Sequence, residues 1–352
     1  MKKQLMYEAK RILLPLLIFT AIACVLYILT ALNTDFILTR YKLWQDPAGL
    51  QADELVPYDA AGNPLTGFVC AILLVLCFVA PVMQYSYRMK KRSVDLWYSL
   101  PVTRTKLMLV RTIGGLALVL IPYILSYWLG FAVIACSDNL FELSQYVPLF
   151  FASLSVGVLL YFVNSFLFTR ANTVGDGILF LLIWNMIPIL PFLLFYLRLH
   201  IVNGIFGSPY LFCPLTPTIS VFNYFSVLIR GTSSSIPYAW FLFPLAGLEG
   251  AAACFGLFYT AKMHRAEDAG QLSSSAFGYK VLVPFCIVLA VSIFPVLSTQ
   301  SFFYLYYAII LIGGLISYFV YRRSFRLKKQ DLLSLVCSFV GGILLSLIFE
   351  AF

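Results

Sequence analysis

Apolar runs close to twenty residues long, separated by short polar stretches, follow one another along almost the whole chain. Crossing roughly 30 Å of hydrocarbon as helix takes about 17 to 25 such residues. Nine runs reach that length: residues 12–32, 68–85, 112–135, 146–168, 177–197, 238–259, 281–297, 302–321 and 332–349. The pattern predicts an all-α polytopic membrane protein. Composition agrees, because 61% apolar and 11% charged residues among 352 leave too little polar surface for a soluble protein.

The stretches between runs carry their own patterns. Leu5, Met6, Ala9, Ile12 and Leu13 recur at helical spacing opposite Lys2, Lys3 and Lys10. That describes a short amphipathic helix on the inner leaflet, an elbow leading into the first span; a basic tail that only fixes topology fits the same residues. Segment 33–66 is acidic and punctuated by Pro47, Gly49, Pro57, Gly62 and Pro64, as a solvated loop would be. Segment 198–237, with IFGSPYLFCPLTPTISVFNYF, is too apolar for a free loop in water. It is predicted to dip back into the outer half of the membrane as short helices turning at Pro214 and Pro217. Pro122, Pro188 and Pro191 interrupt spans and are expected to bend them.

The net charge of +9 reports orientation. Of the 24 lysines and arginines, only Arg40, Lys42, Arg198 and Arg230 fall on one side of the predicted spans, against twenty on the other. Basic residues in short loops stay on the cytoplasmic face, so the N-terminus is predicted to be cytoplasmic. The same charges attract anionic lipid headgroups, and no nucleic-acid partner is expected. The first run is too long for a cleavable signal and lacks a small-residue cleavage site after it. The eight cysteines are scattered without a CxxC pair, and only Cys136 and Cys213 are placed where a bridge between outer segments is conceivable.

Chemistry-bearing patterns are few. The two histidines, His200 and His264, have no Cys, Asp or Glu at ligand spacing, so no metal site is expected. There is no GxSxG and no pair of intramembrane carboxylates, and VGDG at 174–177 reads as a turn. No GxxxxGK[ST] loop exists to cradle nucleotide phosphates. Glu249, in PLAGLEGAAACFG, is the one ionisable residue deep in a span, where a charge costs about 2 to 4 kcal/mol unless neutralised, paired or wetted. Two readings stand: it lines a translocation path or subunit contact, with Asn185 beside the proline-broken fifth span as a second path residue, or it is a neutral acid hydrogen-bonded to a neighbouring helix.

One polar interruption is unlike the others. DLWYSLPVTR, Asp95 to Arg104, sits between the second and third runs and mixes an acid, aromatics, a proline and a basic end. Ser93 is predicted to cap a short helix with Asp95 at its positive end, Leu96 and Leu100 on one face, Trp97 beside them, and Pro101 as its terminator. Thr103 is predicted to cap the next helix. For the aromatics alone, an interfacial anchor of Trp and Tyr with Arg and Lys at phosphates is the better account.

Taken whole, YRMKKRSVDLWYSLPVTRTKL resembles the loop after the second helix in ABC-2 type transporter permeases. MHRAEDAGQLSSSAFGYK is similar to an Arg, Glu, Ala-Gly pattern after the sixth helix in the bacitracin-export and acetoin-operon-like branch, here at Arg265, Glu267, Ala269 and Gly270. The resemblance implies a six-helix, type V exporter-like core over residues 1–280, with two or three additional C-terminal helices over 281–352. It makes Asp95, Leu96, Trp97, Tyr98, Ser99, Leu100, Pro101 and Arg104 a cytoplasmic coupling helix held by an ATPase subunit, with Arg265, Glu267 and Gly270 as a second cytoplasmic contact. It implies a multi-pass plasma-membrane subunit without an enzymatic centre of its own. The expected partners are a separate ATPase, which binds ATP and Mg, and a second permease chain, like or unlike. Amphipathic substrates such as peptide antibiotics or lipids, moved outward, are the expectation. An ion-coupled secondary transporter, or a membrane-embedded enzyme or scaffold, are the alternatives; the absence of an internal repeat weakens the first and the absence of a catalytic constellation weakens the second.

Overall fold

A computed structural model describes residues 2–33, 64–99, 101–136, 143–187, 214–229, 239–273, 275, 277–297 and 303–351. Among them there are helices and turns and no strand. Six of the described helices are long and apolar enough to cross a membrane, which makes this a polytopic α-helical membrane protein. In chain order the helices are α1 (Lys2–Asn33), α2 (Pro64–Tyr85), α3 (Lys91–Tyr98), α4 (Arg104–Ala135), α5 (Leu143–Phe168) and α6 (Val174–Met186). They continue with α7 (Thr216–Ile229), α8 (Ala239–Met263), α9 (Tyr279–Leu297), α10 (Phe303–Arg322) and α11 (Lys329–Ala351). The six crossing helices lie in α1, α2, α4, α5, α10 and α11. The remaining three predicted spans fall on α6, α8 and α9. At 13 residues, described α6 reaches only about 20 Å, and the rest of that run lies outside the described residues. α8 has the length, but Glu249 and three glycines dilute its apolar run.

The chain divides into two compact units: residues 1–84, 105–162 and 217–252 form one, and 85–104, 163–216 and 253–352 the other. In the first, α1 is a single helix of 32 residues that runs through Pro15 without interruption. The predicted elbow is therefore not a separate element; its residues are the first turns of the span itself. Leu13, Leu14, Leu17, Ile18, Ile22 and Val25 are exposed, while Ile12, Ala23 and Tyr27 are buried. A helix apolar all round, with its large aliphatics outward, is suited to lipid rather than water. Its hydroxyls are satisfied internally, Thr20 donating to the Leu16 carbonyl and Thr30 to that of Leu26, both at 2.8 Å.

α4 packs on α5 through tyrosines whose hydroxyls need partners in an apolar interior. Tyr123 and Ser153 hydroxyls are 2.6 Å apart, and Tyr127 donates to the Tyr146 carbonyl at 2.7 Å. Tyr161 of α5 donates to the Thr112 carbonyl at 3.3 Å. Gly115 permits that approach, since a Cβ there would stand 2.0 Å from the Tyr161 oxygen. α4 continues as helix through Pro122, which is buried.

The same unit holds a buried ion cluster. Glu8 of α1 is 3% exposed, Gln84 of α2 1% and Arg111 of α4 0%. Arg11 Nη2 donates to Glu8 Oε1 at 2.5 Å, Arg111 Nη1 lies 3.2 Å from Glu8 Oε2, and Arg11 also donates to the Gln84 carbonyl oxygen. The Glu8–Arg11 pair thus ties three helices together, through Arg111 to α4 and through Gln84 to α2.

In the second unit, α9 packs against α10 and α11, and α10 against α11. Asp331, in the first turn of α11, takes two hydrogen bonds from Arg322 at the end of α10, at 2.8 and 2.6 Å, and a third from the Lys328 N–H at 3.1 Å. Tyr318 donates to Ser334 at 2.8 Å. These bonds close the turn between the last two helices.

Removing one partner of a buried ion cluster leaves an uncompensated charge, at about 3–5 kcal/mol. Glu8→Ala is expected to destabilise the purified protein by that amount in thermal or denaturant unfolding, whereas Glu8→Met with Arg111→Met together recover most of it. A loss below about 1 kcal/mol for Glu8→Ala would contradict the pairing.

Candidate functional site

The two polar runs singled out in the sequence, 168 residues apart between their starting points Asp95 and Met263, meet in the second unit. α3 comprises eight residues, Lys91–Tyr98. It begins two residues before the predicted cap: Lys90 is the N-cap residue, with no side-chain cap, and Ser93 lies inside the first turn with its N–H on the Lys90 carbonyl at 2.9 Å. Asp95 is accordingly mid-helix and exposed rather than at the positive end. The helix stops at Tyr98; the Ser99 N–H closes on the Asp95 carbonyl at 3.0 Å, and its hydroxyl on that of Leu96 at 2.9 Å. Pro101 follows two residues after the C-cap, where it cannot prolong the helix. Leu100 lies outside the described residues.

The faces of α3 differ sharply. Val94 is fully buried, Trp97 is half-buried with its ring 6.1 Å from that of Tyr87, and Leu96 is 65% exposed. Lys91, Arg92, Asp95 and Leu96 thus present a mixed charged and apolar surface outward.

Tyr98 anchors the inward side. Its hydroxyl shares a hydrogen bond of 3.0 Å with His264 Nδ1, just past the end of α8. Arg104, the first residue of α4, donates to the His264 carbonyl at 2.6 Å and lies over the Tyr98 ring at 4.9 Å from its centroid. Burial, reinforced by the charges of Arg88, Arg104 and Arg170, depresses the imidazole from its usual value to about 3. His264 is therefore neutral at physiological pH. The same two influences, burial and then Arg88, lower Arg170 to about 10, still a cation at neutrality.

The second run forms the turn beside α3. Arg265 is the residue before a 3-10 turn, Ala266–Asp268, and its N–H donates to Asp268 Oδ2 at 3.2 Å. Arg265 and Glu267 are exposed. Ala269 is fully buried, and Gly270 has φ of +79°, a conformation in which a side chain is strained. The Gly270 N–H donates to the Asn172 carbonyl at 2.8 Å, and the nearest side-chain atom to a Cβ there is Lys91 Cε at 3.8 Å. The Ala-Gly pair thus has a local cause: a small residue that fits the interior, then one that turns the chain.

VGDG proves to be the first turn of α6 rather than a free turn. Thr173 caps it, accepting from the Asp176 N–H at 3.2 Å, and Asp176 sits at the helix's positive end. Asp176 accepts from Tyr279 at 2.8 Å and pairs with Arg323 at 3.1 Å; Arg323 also reaches the Gly270 carbonyl at 3.3 Å. The turn after α10 is thereby fastened to the Ala-Gly turn, a connection the sequence reading missed.

The other singled-out residues lie apart from this cluster. Asn185 is fully buried and donates to Asn164 Oδ1 at 2.9 Å and to the Leu181 carbonyl at 2.7 Å, a polar staple between α6 and α5. Glu249 is half-buried in α8, with no ion pair or hydrogen bond among the described residues. Pro214 is in a turn and Pro217 in the first turn of α7, where its missing N–H costs nothing. With 14 residues α7 spans about 21 Å, too little to cross a bilayer. Cys136 is an exposed free thiol; Cys213 and His200 lie outside the described residues. No family model, curated protein or solved structure matches the chain.

Between about pH 6.5 and pH 3 the unfolded chain binds a proton at His264 that the folded chain refuses, so this residue makes stability fall as pH falls. His264→Gln is expected to flatten the decline in unfolding midpoint between pH 7 and pH 4.5. Parallel declines in parent and variant would mean that the imidazole is not held neutral.

Proposed function

We propose that the chain is the membrane-spanning permease subunit of an ATP-driven transporter of the ABC-2 type, with α3 as the coupling helix. The observation that carries the reading is the fastening of α3. Its outward face offers Lys91, Arg92, Asp95 and Leu96 to a partner, while Tyr98 and Arg104 bind it to His264 at the end of α8 and it leads directly into α4. A push on such a helix is delivered to two longer helices at once. The exposed Arg265 and Glu267 on the adjoining turn extend the docking surface.

ATP and Mg are bound and turned over by a separate ATPase subunit, two of which close beneath two permease chains, like or unlike. α3 and the Ala-Gly turn face the cytoplasm, the N-terminus lies on the same side, and the complex resides in the plasma membrane. An amphipathic substrate is moved outward between the permeases. This chain contributes a path and a lever, with no bond-making chemistry. Glu249, in α8 and without a partner among the described residues, favours a second reading as an ion-coupled transporter, in which its proton rather than ATP would drive transport.

Co-expression of the chain with its genomic neighbours and purification through a tag on the chain decide between them. Recovery of an ATPase is expected, and Leu96→Asp is expected to lower that recovery by roughly tenfold or more, as for a central interface residue, with membrane insertion unchanged. Trp97→Ala is expected to weaken it less directly, by unseating α3 from Tyr87. Equal recovery with Leu96→Asp would reduce α3 to an interfacial anchor, and loss of transport in Glu249→Gln without any associated ATPase would favour the ion-coupled machine.

A further inference from the structure

Arg88 stands in the turn between α2 and α3 and is 3% exposed, yet its Nη1 has no hydrogen-bond partner among the described residues. Its charge bears on both His264 and Arg170. Arg170 is in the same position at its Nε, buried and without an acceptor, although its Nη2 donates to Thr260 and its guanidinium lies 4.8 Å over the Phe166 ring. Arg104 completes the group from the start of α4, held by the His264 carbonyl.

Arg104 and Arg170 thus meet the end of α8 one turn apart, at His264 and Thr260; Arg104 is exposed, the unpartnered atoms of Arg88 and Arg170 are buried, and none of the three is paired with a carboxylate among the described residues. The acids whose side chains are described in this unit are committed or turned away: Asp176 pairs with Arg323, Asp331 with Arg322, Asp268 caps the Arg265 N–H, and Asp95 and Glu267 are exposed. Buried cations with unsatisfied N–H groups are costly unless an anion accepts from them. The geometry differs from that of the Glu8 cluster, where the carboxylate is supplied by the chain itself.

We propose that Arg88, Arg104 and Arg170 form a binding site for a phosphate group. A carboxylate satisfies one planar guanidinium fork, whereas the several oxygens of a tetrahedral phosphate accept from more than one, and arginine matches them two at a time. The three arginines flank the ends of α2, α4 and α5, where basic residues of membrane proteins meet headgroups. The group has two sources, the phosphodiester of an anionic lipid headgroup or free inorganic phosphate. Neutral His264, its ring held by Tyr98, suits the site because it adds no further positive charge to the arginines. The site is independent of the ATPase reading: it needs no partner protein.

The full-length chain, purified in detergent, is titrated in turn with phosphatidylglycerol, phosphatidylcholine and sodium phosphate at fixed ionic strength. The thermal unfolding midpoint is followed, with native mass spectrometry to count bound lipid. Phosphatidylglycerol is expected to raise the midpoint of the parent well beyond phosphatidylcholine. Arg88→Gln and Arg170→Gln, each losing a charged hydrogen bond, are expected to need roughly tenfold more lipid for the same rise. Arg326→Gln, an exposed arginine elsewhere in the unit, serves as the control and is expected to titrate as the parent does. A response to phosphatidylglycerol alone assigns the group to lipid; a response to sodium phosphate alone assigns it to free phosphate. No response of the parent to either, or an equal response in all three variants, would overturn the site and hand the arginines to a carboxylate of a protein partner. Should Arg88→Gln fail to fold, Arg170→Gln against Arg326→Gln decides alone.

Discussion

A charge drawn inside this chain must find a partner, because the surroundings are apolar and an isolated ion there is far less stable than in water. Only 11% of the residues are charged, so the pairs that do form are visible individually. Glu8 with Arg11 and Arg111 fixes α1, α2 and α4 to one another in the first unit. Asp331 with Arg322 closes the last two helices, and Asp176 with Arg323 ties α6 to the turn that follows α10. Greasy side chains alone do not specify such arrangements in a bilayer, since lipid tails are as apolar as leucine; small residues and polar contacts give the register.

The candidate site obeys the same constraint in a different way. Tyr98, Arg104 and His264 form a junction in which a neutral imidazole tolerates a cation, because Arg104 reaches the backbone carbonyl rather than the ring. The buried Val94 and half-buried Trp97 give α3 a packed underside, so an eight-residue helix that has little stability alone is held in place. Gly270, with its positive φ, brings the Ala-Gly turn alongside the first residue of that helix. Rigidity on the inside with an exposed mixed face outside is what a docking lever requires, and it is built from two segments more than 150 residues apart.

Much of this was legible from the sequence because the controlling signals are local. Apolar length located the crossing helices, DLWYSLPVTR announced a short helix ended by proline, and the Ala-Gly pair announced a special turn. What could not be read depended on partners distant in the chain. Glu8 looks like one more polar residue of a basic N-terminus until Arg111, in another helix, is beside it; that contact, together with an unbroken backbone through Pro15, turns the expected elbow into the first turns of a span. VGDG reads as a turn because two of its four residues are glycine, yet Thr173 caps it as a helix start. The hydroxyl of Ser93 suits a cap, whereas the helix begins at Lys91 without one. Asn185, expected beside a path, donates through its Nδ2 to Asn164 and to the Leu181 carbonyl of its own helix, contacts that only the fold brings together.

Proximity in the native membrane tests most directly whether the two polar runs are one docked structure. Lys91→Cys and Gly270→Cys are introduced together in a chain whose other cysteines are replaced, and membranes are treated with a short bifunctional thiol reagent. Rapid, near-complete intramolecular linking of the pair is the expected result, with Arg326→Cys in place of Gly270→Cys linking poorly. Linking of the pair no faster than that control would contradict the docking of α3 on the Ala-Gly turn, and with it the lever.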